Sequence, residues 1–126
     1  MTEVVSVTGN RFQAAAEHEG TVINAWLQGN ADYHALDAVE MLLTRLHAEA
    51  IRLAIQEAVI DLRRLEFMNS SCFRIFISWL AEILELNEAR RYKVKFLFNP
   101  DLHWQNRSLH TLRSFAVEVV DVVSAA

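Results

Sequence analysis

The amino-acid sequence predicts an α/β protein in which a mixed, mostly parallel β-sheet of four to five strands packs against about three to four helices. Short apolar segments typical of strands alternate with longer segments of helical periodicity, and few residues separate one from the next. Strands connected in this way are joined by right-handed crossovers. A length of 126 residues and a hydrophobic content of 52% suit one globular domain over residues 1–126.

The N-terminal region, up to residue 20, predicts two divergent strands. Apolar residues dominate 4–7 and 12–16, and the Gly-Asn pair at 9–10 is a turn signal. Residues 21–27 predict the next strand because side chains of different character alternate along them. The Gly-Asn pair at 29–30 then ends that strand.

Residues 36–50 predict an amphipathic helix that covers the sheet. Its apolar residues recur at three- and four-residue steps: Leu36, Val39, Leu43, Leu46 and Ala50. Residues 58–62 form a short apolar run without clean alternation, which is typical of a strand that crossover helices bury on both faces. We therefore expect this run to be the central strand.

A second helix is predicted over residues 72–86, which carry apolar side chains nearly all round. Asn69 and the two serines before this segment are residue types that cap a helix. Residues 92–98 alternate apolar side chains with lysines, predict a strand, and are followed by Pro100. The next helix carries its apolar residues on one face: Leu109, Leu112 and Ala116. A final strand is predicted over residues 117–123.

Composition and motifs argue against several functions. Sixteen acidic residues against twelve basic ones give a formal charge of −4, and no lysine or arginine cluster is dense enough for direct nucleic-acid binding. The most apolar stretch is interrupted by charges and too short to span a bilayer, so no membrane insertion is expected. The N-terminus lacks the pattern of a signal peptide and Cys72 is the only cysteine, so the expected compartment is the cytoplasm.

The sequence also lacks the patterns of common catalytic and metal sites. The five histidines show neither His-x-x-x-His spacing nor a cysteine partner, so no metal is expected. No Gly-x-Ser-x-Gly elbow, phosphate loop or dinucleotide fingerprint occurs. We therefore expect neither a cofactor nor enzymatic activity.

Three short strings lie at predicted junctions between strands and helices. Residues 65–71 are Leu-Glu-Phe-Met-Asn-Ser-Ser, residues 27–32 are Leu-Gln-Gly-Asn-Ala-Asp, and residues 98–100 are Phe-Asn-Pro. In their order along the chain, these strings resemble those of the anti-sigma-factor antagonists, or STAS family. The usual strings of that family are a strand followed by Phe-Met/Ile-Asp-Ser-Ser-Gly-Leu, and Leu-x-Gly-x-x-Asp after the second strand. The resemblance covers residues 21–123.

The resemblance implies a partner-switching protein of a bacterial regulatory pathway. In that family the first serine of the pair is phosphorylated by a partner that is both a serine kinase and an anti-sigma factor, and a phosphatase reverses the reaction. By position this serine is Ser70, with Ser71 as helper or alternative acceptor. The family's partner surface corresponds to nine residues here: Asn69, Ser70, Ser71, Cys72, Phe73, Gly29, Asn30, Asp32 and Tyr33.

Two residues depart from the family pattern inside the site itself. Asn69 replaces the usual aspartate and keeps its capping ability without its charge, and Cys72 adds a side chain where the family has glycine. Both favour an alternative function, a non-phosphorylated STAS subunit of a lipid-transport or signalling complex, in which the serines only cap the helix. A homodimer and a weaker hydrolase or ligand-binding hypothesis around Ser70 also stay open. For Cys72, a small buried residue is favoured over a redox sensor.

Overall fold

The computed structural model describes residues 2–125, which form six strands, three α-helices and two short 3₁₀ helices. The elements are β1 (Thr2–Gly9), β2 (Phe12–Glu19), β3 (Val22–Ala31), α1 (Leu36–Arg52), β4 (Glu57–Met68), α2 (Ser70–Glu85), β5 (Lys93–Phe98), α3 (His103–Phe115) and β6 (Val120–Ser124), with 3₁₀ helices at Tyr33–Ala35 and Glu88–Arg90. The predicted α/β class is confirmed. The sheet has six strands rather than four to five, because the divergent N-terminal strands form a complete hairpin.

The order of strands in the sheet follows the order of the chain, β1-β2-β3-β4-β5-β6. The pairs β1/β2 and β2/β3 are antiparallel, whereas β3 to β6 pair in parallel. Each parallel connection steps to the next strand in the same direction, so right-handed crossovers place all three helices on one face of the sheet. The strand residues on this inner face are buried, and one row across the sheet is Ile23, Ala58, Val94 and Val120.

The opposite face of the sheet, called the outer face below, has none of the described helices packed over it. In β4 the buried side chains alternate with half-buried ones, and Val59 and Asp61 on the outer face are only half-buried. The expectation that helices cover this strand on both faces was therefore wrong. A sheet whose strand order never reverses sends every crossover helix to the same side.

The helices begin and end close to the limits that periodicity predicts. In α1 the buried residues are Val39, Leu42, Leu43, Leu46 and Ala50. The last strand begins later than predicted, at Val120, because Val117 lies in a turn after α3 with 66% of its side chain exposed. No helix within residues 2–125 has the length and apolar character needed to cross a membrane.

A polar network lies at the edge of the core, where α1, α2 and the start of β5 meet. The hydroxyl of Tyr92 accepts a hydrogen bond from the indole N–H of Trp79 at 2.9 Å and lies 2.6 Å from Nδ1 of His47. A tyrosine hydroxyl has one proton to donate, and here the neutral imidazole of His47 is the group that can accept it. Burial lowers the pKa of His47, and the nearby carboxylate of Glu82 offsets this only in part.

Acidification is expected to weaken the folded state through His47. Its pKa lies lower in the folded protein than the ordinary value of 6.5, so the unfolded chain takes up the proton first. The free energy of unfolding should therefore fall as the pH drops below about 6.5, until the folded protein is protonated as well. Urea unfolding of the protein and of His47→Gln across this range measures the contribution, with the exposed His110→Gln as control. An identical pH dependence of all three proteins would contradict the assignment.

Candidate functional site

The ends of β3 and β4 bring the two halves of the predicted site together. Ala31 and Met68 pair at the carboxyl ends of these parallel strands. The backbone N–H of Asn69 then donates a hydrogen bond to the carbonyl of Ala31 at 2.9 Å. The loop after β3 and the start of α2 therefore lie side by side at one edge of the sheet.

Asn69 is the N-cap of α2. Its backbone is extended, with φ −81° and ψ 171°, and its side-chain oxygen accepts a hydrogen bond from the N–H of Cys72 at 2.9 Å. An amide oxygen can make this bond as well as a carboxylate does, so the change from aspartate removes only the charge. The interpretation of the serines as the cap was wrong, because Ser70 is already the first helical residue.

Ser70 presents its hydroxyl at the first turn of α2. The residue is exposed and Ser71 is half-buried, and neither hydroxyl makes a hydrogen bond within residues 2–125. Arg74, which is also exposed, lies one turn further along and therefore on the same side of the helix. A phosphate on Ser70 would meet the free N–H groups and the positive end of the helix dipole.

Asp32 organises the loop beside this helix. Its carboxylate accepts a hydrogen bond from the N–H of His34 at 2.9 Å, and its carbonyl accepts one from the N–H of Ala35 at 2.9 Å. These bonds close the short 3₁₀ turn and leave 70% of Tyr33 exposed, with its ring centroid 4.0 Å from that of His34. An exposed tyrosine held by a short turn is a suitable contact for a protein partner.

Cys72 is a buried link between the helix and the loop. Its thiol lies 3.5 Å from the carbonyl oxygen of Asp32, toward which it donates a weak hydrogen bond. Burial, with a smaller contribution from the Asp32 carboxylate, raises the pKa of Cys72 to about 11. The thiol therefore stays protonated at neutral pH, which fits a small buried residue rather than a redox sensor.

Gly29 and Asn30 form the base of the loop, where the backbone of β3 approaches the turn between β1 and β2. Gly29 has a φ of 94°, and a Cβ at this position would overlap the carbonyl oxygen of Arg11. The same carbonyl accepts a hydrogen bond from the N–H of Asn30 at 2.9 Å. This close backbone approach explains the glycine in physical terms.

The nine residues predicted for the partner surface differ in exposure. Ser70 and Tyr33 are exposed, Cys72 is buried, and the other six are half-buried. Phe73 packs against the core with part of its ring. A partner would therefore reach Ser70 and Tyr33 directly, whereas Cys72 acts only by shaping the surface around them.

Several solved structures resemble this chain. An anti-sigma factor antagonist from Mycobacterium paratuberculosis matches with a TM-score of 0.67 and 16% identity, over 89% of this chain and 85% of that one. The anti-sigma factor antagonist SpoIIAA, in its unphosphorylated form, matches with a TM-score of 0.61 and 19% identity, over 88% of this chain and 86% of that one. This chain has the STAS fold of the anti-sigma factor antagonists.

The third match is a chain in the crystal structure of the diguanylate cyclase SiaD in complex with its activator SiaC from Pseudomonas aeruginosa. Its TM-score is 0.61 at 15% identity, over 96% of this chain and 99% of that one. No protein-family model matches the sequence, and no curated protein does. The fold implied by the three short strings is thus confirmed by structural likeness.

The STAS fold also positions two residues that were not among the predicted site residues. Phe67 is 46% exposed and pairs with Asn30, so it extends the surface around the loop. Gln105 is fully buried on α3, and its side-chain amide donates hydrogen bonds to the carbonyls of Leu62 and Leu65 in β4. Its position one turn before the buried Leu109 was a usable signal, because a polar residue on an apolar helix face needs partners.

No group of three metal-ligating side chains occurs within residues 2–125.

Proposed function

We propose that this STAS protein is a cytoplasmic partner-switching regulator that binds a protein through the start of α2 and the loop after β3. The partner would be a serine-kinase anti-sigma factor or a related regulator, with Ser70 as the phosphorylated residue, Ser71 as alternative, and a phosphatase to reverse the switch. The observation that supports this most directly is the exposed hydroxyl of Ser70, which makes no hydrogen bond to any of the described residues 2–125 and lies at a helix N-terminus that Asn69 already caps.

Phosphorylation would act on this surface through charge. A phosphoserine adds about −1.5 to −2 charge at neutral pH. The free N–H groups of α2 and the guanidinium of Arg74 would stabilise it, so the fold need not change. A partner that accepts the neutral hydroxyl would instead have to bury a dianion, and its complex would dissociate.

The structural neighbours support a function through protein contacts. SpoIIAA is an anti-sigma factor antagonist whose structure is that of its unphosphorylated form, and SiaC is an activator seen in complex with its cyclase SiaD. The neighbours are regulatory proteins, which supports action by binding rather than by catalysis. For this chain we infer the same mode of action, which is the binding of a protein partner.

A second candidate is a constitutive subunit of a larger lipid-transport or signalling assembly. It is favoured by Asn69 and Cys72, which replace the two family residues nearest to the serines. In this case the same surface binds a partner permanently and Ser70 is never modified.

Mass analysis of the protein from its native cells separates the two candidates. For the switch, phosphate is expected on Ser70 and is lost in Ser70→Ala, and the co-purified partner is retained by that variant. Ser70→Asp should weaken partner binding by about tenfold or more, because it places a charge in the contact. Ser78→Asp, the same change at an exposed position further along α2, is the control. A stable partner combined with Ser70 that remains unmodified under all growth conditions would favour the constitutive subunit.

A further inference from the structure

The outer face of the sheet carries a groove that the proposed switch does not use. It has a volume of about 380 Å³ and runs between β3 and β4, where Trp26, Gln28, Arg63 and Arg64 line it. A depression of about 440 Å³ continues from Arg64 toward Arg11 in the turn between β1 and β2. We call these two connected depressions the outer groove.

Trp26 is the aromatic wall of the outer groove. It points away from the helices, and 40% of its side chain is exposed although it lies in an inner strand of the sheet. Its neighbours in register are the small Ala15 on β2 and Asp61 on β4. An exposed tryptophan flanked in this way is a typical anchor of a protein interface.

The arginines of the groove differ in their partners. The guanidinium of Arg63 donates two hydrogen bonds to the carboxylate of Asp61, at 2.9 and 2.7 Å, and these bonds hold the pKa of Asp61 below its usual value. Within residues 2–125, Arg11 and Arg64 form no ion pair. Two guanidinium groups therefore line the groove without an acidic partner, and a carboxylate could bind each of them in a bidentate manner.

The local charge is opposite to that of the whole protein. The outer groove holds Arg11, Arg63 and Arg64 against the two carboxylates Asp61 and Glu66, a net charge of +1, whereas the chain carries −4. A positive site of this size on a negative protein selects a short anionic segment. It would not hold a long polyanion such as DNA, which requires many phosphate contacts and would be repelled by the remaining surface.

We propose that the outer groove is a second docking site, which binds a short acidic segment of a partner protein. An apolar side chain of that segment would lie on Trp26, and its carboxylates would bind Arg64 and Arg11. The groove is too open to enclose most of a small ligand, as a typical ligand pocket does. A second copy related by a twofold axis would bring the same arginines toward each other, which disfavours self-association here.

This site goes beyond the proposed switch, because α2 and Ser70 belong to the layer on the inner face of the sheet. The STAS protein could therefore bind one partner at α2 and hold an acidic segment on the outer groove at the same time. Phosphorylation of Ser70 would release the first partner without removing the second. The two sites can be tested separately, because Gly29 is the one residue that lines both, and Trp26, Arg11 and Arg64 lie outside the predicted partner surface.

The test is an NMR titration of the full chain with a short synthetic peptide rich in glutamate around a central leucine-phenylalanine pair. Saturable shifts are expected for the indole N–H of Trp26 and for the backbone amides near Gln28 and Arg64. A peptide with every glutamate replaced by glutamine should bind at least about tenfold more weakly. Equal binding of both peptides, shifts centred elsewhere, or no saturation would each overturn the proposal.

Variants assign the binding to named residues. Binding of the acidic peptide should weaken by about tenfold or more in the double variant Arg11→Glu with Arg64→Glu. The separate variant Trp26→Ala should show a loss of the same size. Arg45→Glu, one such charge reversal at an exposed position on α1, and Ser70→Asp should leave the binding of this peptide unchanged. An equal loss in Arg45→Glu would show non-specific charge attraction and overturn the proposal. Tighter binding of a DNA oligonucleotide at the same residues, or peptide-independent dimerisation through them, would overturn it as well.

Discussion

Replacing Gly29 by alanine is expected to lower the free energy of unfolding by about 3 kcal/mol or more. Two effects add at this position. A φ of 94° is strained for any residue with a side chain, and the new Cβ would overlap the backbone carbonyl of Arg11. A backbone atom cannot rotate away as a flexible side chain can, so β3 and the turn between β1 and β2 would have to separate. The hydrogen bond that Asn30 donates to Arg11 would then lengthen or break.

Gly20, in the turn between β2 and β3, provides a matched control. Its φ is 60°, but no heavy atom lies within 4 Å of a Cβ placed there. Gly20→Ala should therefore cost only the conformational strain, about 1 kcal/mol. Urea unfolding of both variants measures the difference, and equal losses would show that the close approach to Arg11 contributes nothing. Hydrogen exchange should also quicken at Asn30 and through the loop to Ala35 in Gly29→Ala alone.

The helices and inner strands were predictable because their signals are local. In α1 the three- and four-residue spacing of apolar residues matches the buried positions of the helix. In β5 the alternation of lysines with apolar residues matches a strand with Val94 and Phe96 on the inner face. These patterns depend only on the period of the secondary structure, which a sequence displays directly.

The one-sided sheet was not predictable from the same signals. Residues 58–62 look equally apolar whether helices cover one face or two. The outcome depends on the pairing of β4 with β5 and of β5 with β6, which continues in one direction and never returns past β3. Strand order is a non-local property, and the exposure of Trp26 follows from it.

The residues of the predicted site lie close together in the structure, but the sequence did not show which of them caps α2. Asn69, Ser70 and Ser71 are all residue types that cap helices, so composition could not choose among them. The choice is made by β3, because the hydrogen bond from Asn69 to the carbonyl of Ala31 fixes where the strand ends and the helix begins. That bond leaves Ser70 free, and the accessibility of its hydroxyl is therefore a consequence of tertiary structure.

The end of β4 that carries the site depends on a buried side chain of α3. Pairing between β4 and β5 is present up to Asp61, and the next part of β4 continues along β3 alone. Gln105 donates hydrogen bonds to the carbonyls of Leu62 and, at 2.9 Å, Leu65, and it accepts one from the N–H of Asn99 at 2.8 Å. One amide thus forms hydrogen bonds with three backbone groups near the point where β4 stops pairing with β5.

Replacing Gln105 by leucine is expected to lower the free energy of unfolding by about 3 to 5 kcal/mol, because three backbone groups, two of them buried, lose a hydrogen bond at once. Urea unfolding measures the loss, and Gln56→Leu at an exposed position should change stability by less than about 0.5 kcal/mol. Hydrogen exchange should quicken from Leu65 to the start of α2, since the strand end is no longer held. A loss in Gln105→Leu as small as that of Gln56→Leu would contradict this assignment.

Gln105→Glu distinguishes lost hydrogen bonds from altered packing, because the two side chains have nearly the same shape. A carboxylate cannot donate to the carbonyls of Leu62 and Leu65, whereas a protonated carboxyl group can donate to one of them. Burial and these carbonyls would favour the protonated form in the folded state, so the pKa of the new group would be higher in the folded than in the unfolded chain. Relative to the unaltered protein, this variant should therefore be less destabilised at pH 5 than at pH 8. A destabilisation that does not change with pH would mean that packing, and not the hydrogen bonds to β4, makes Gln105 important for the strand that leads to Ser70.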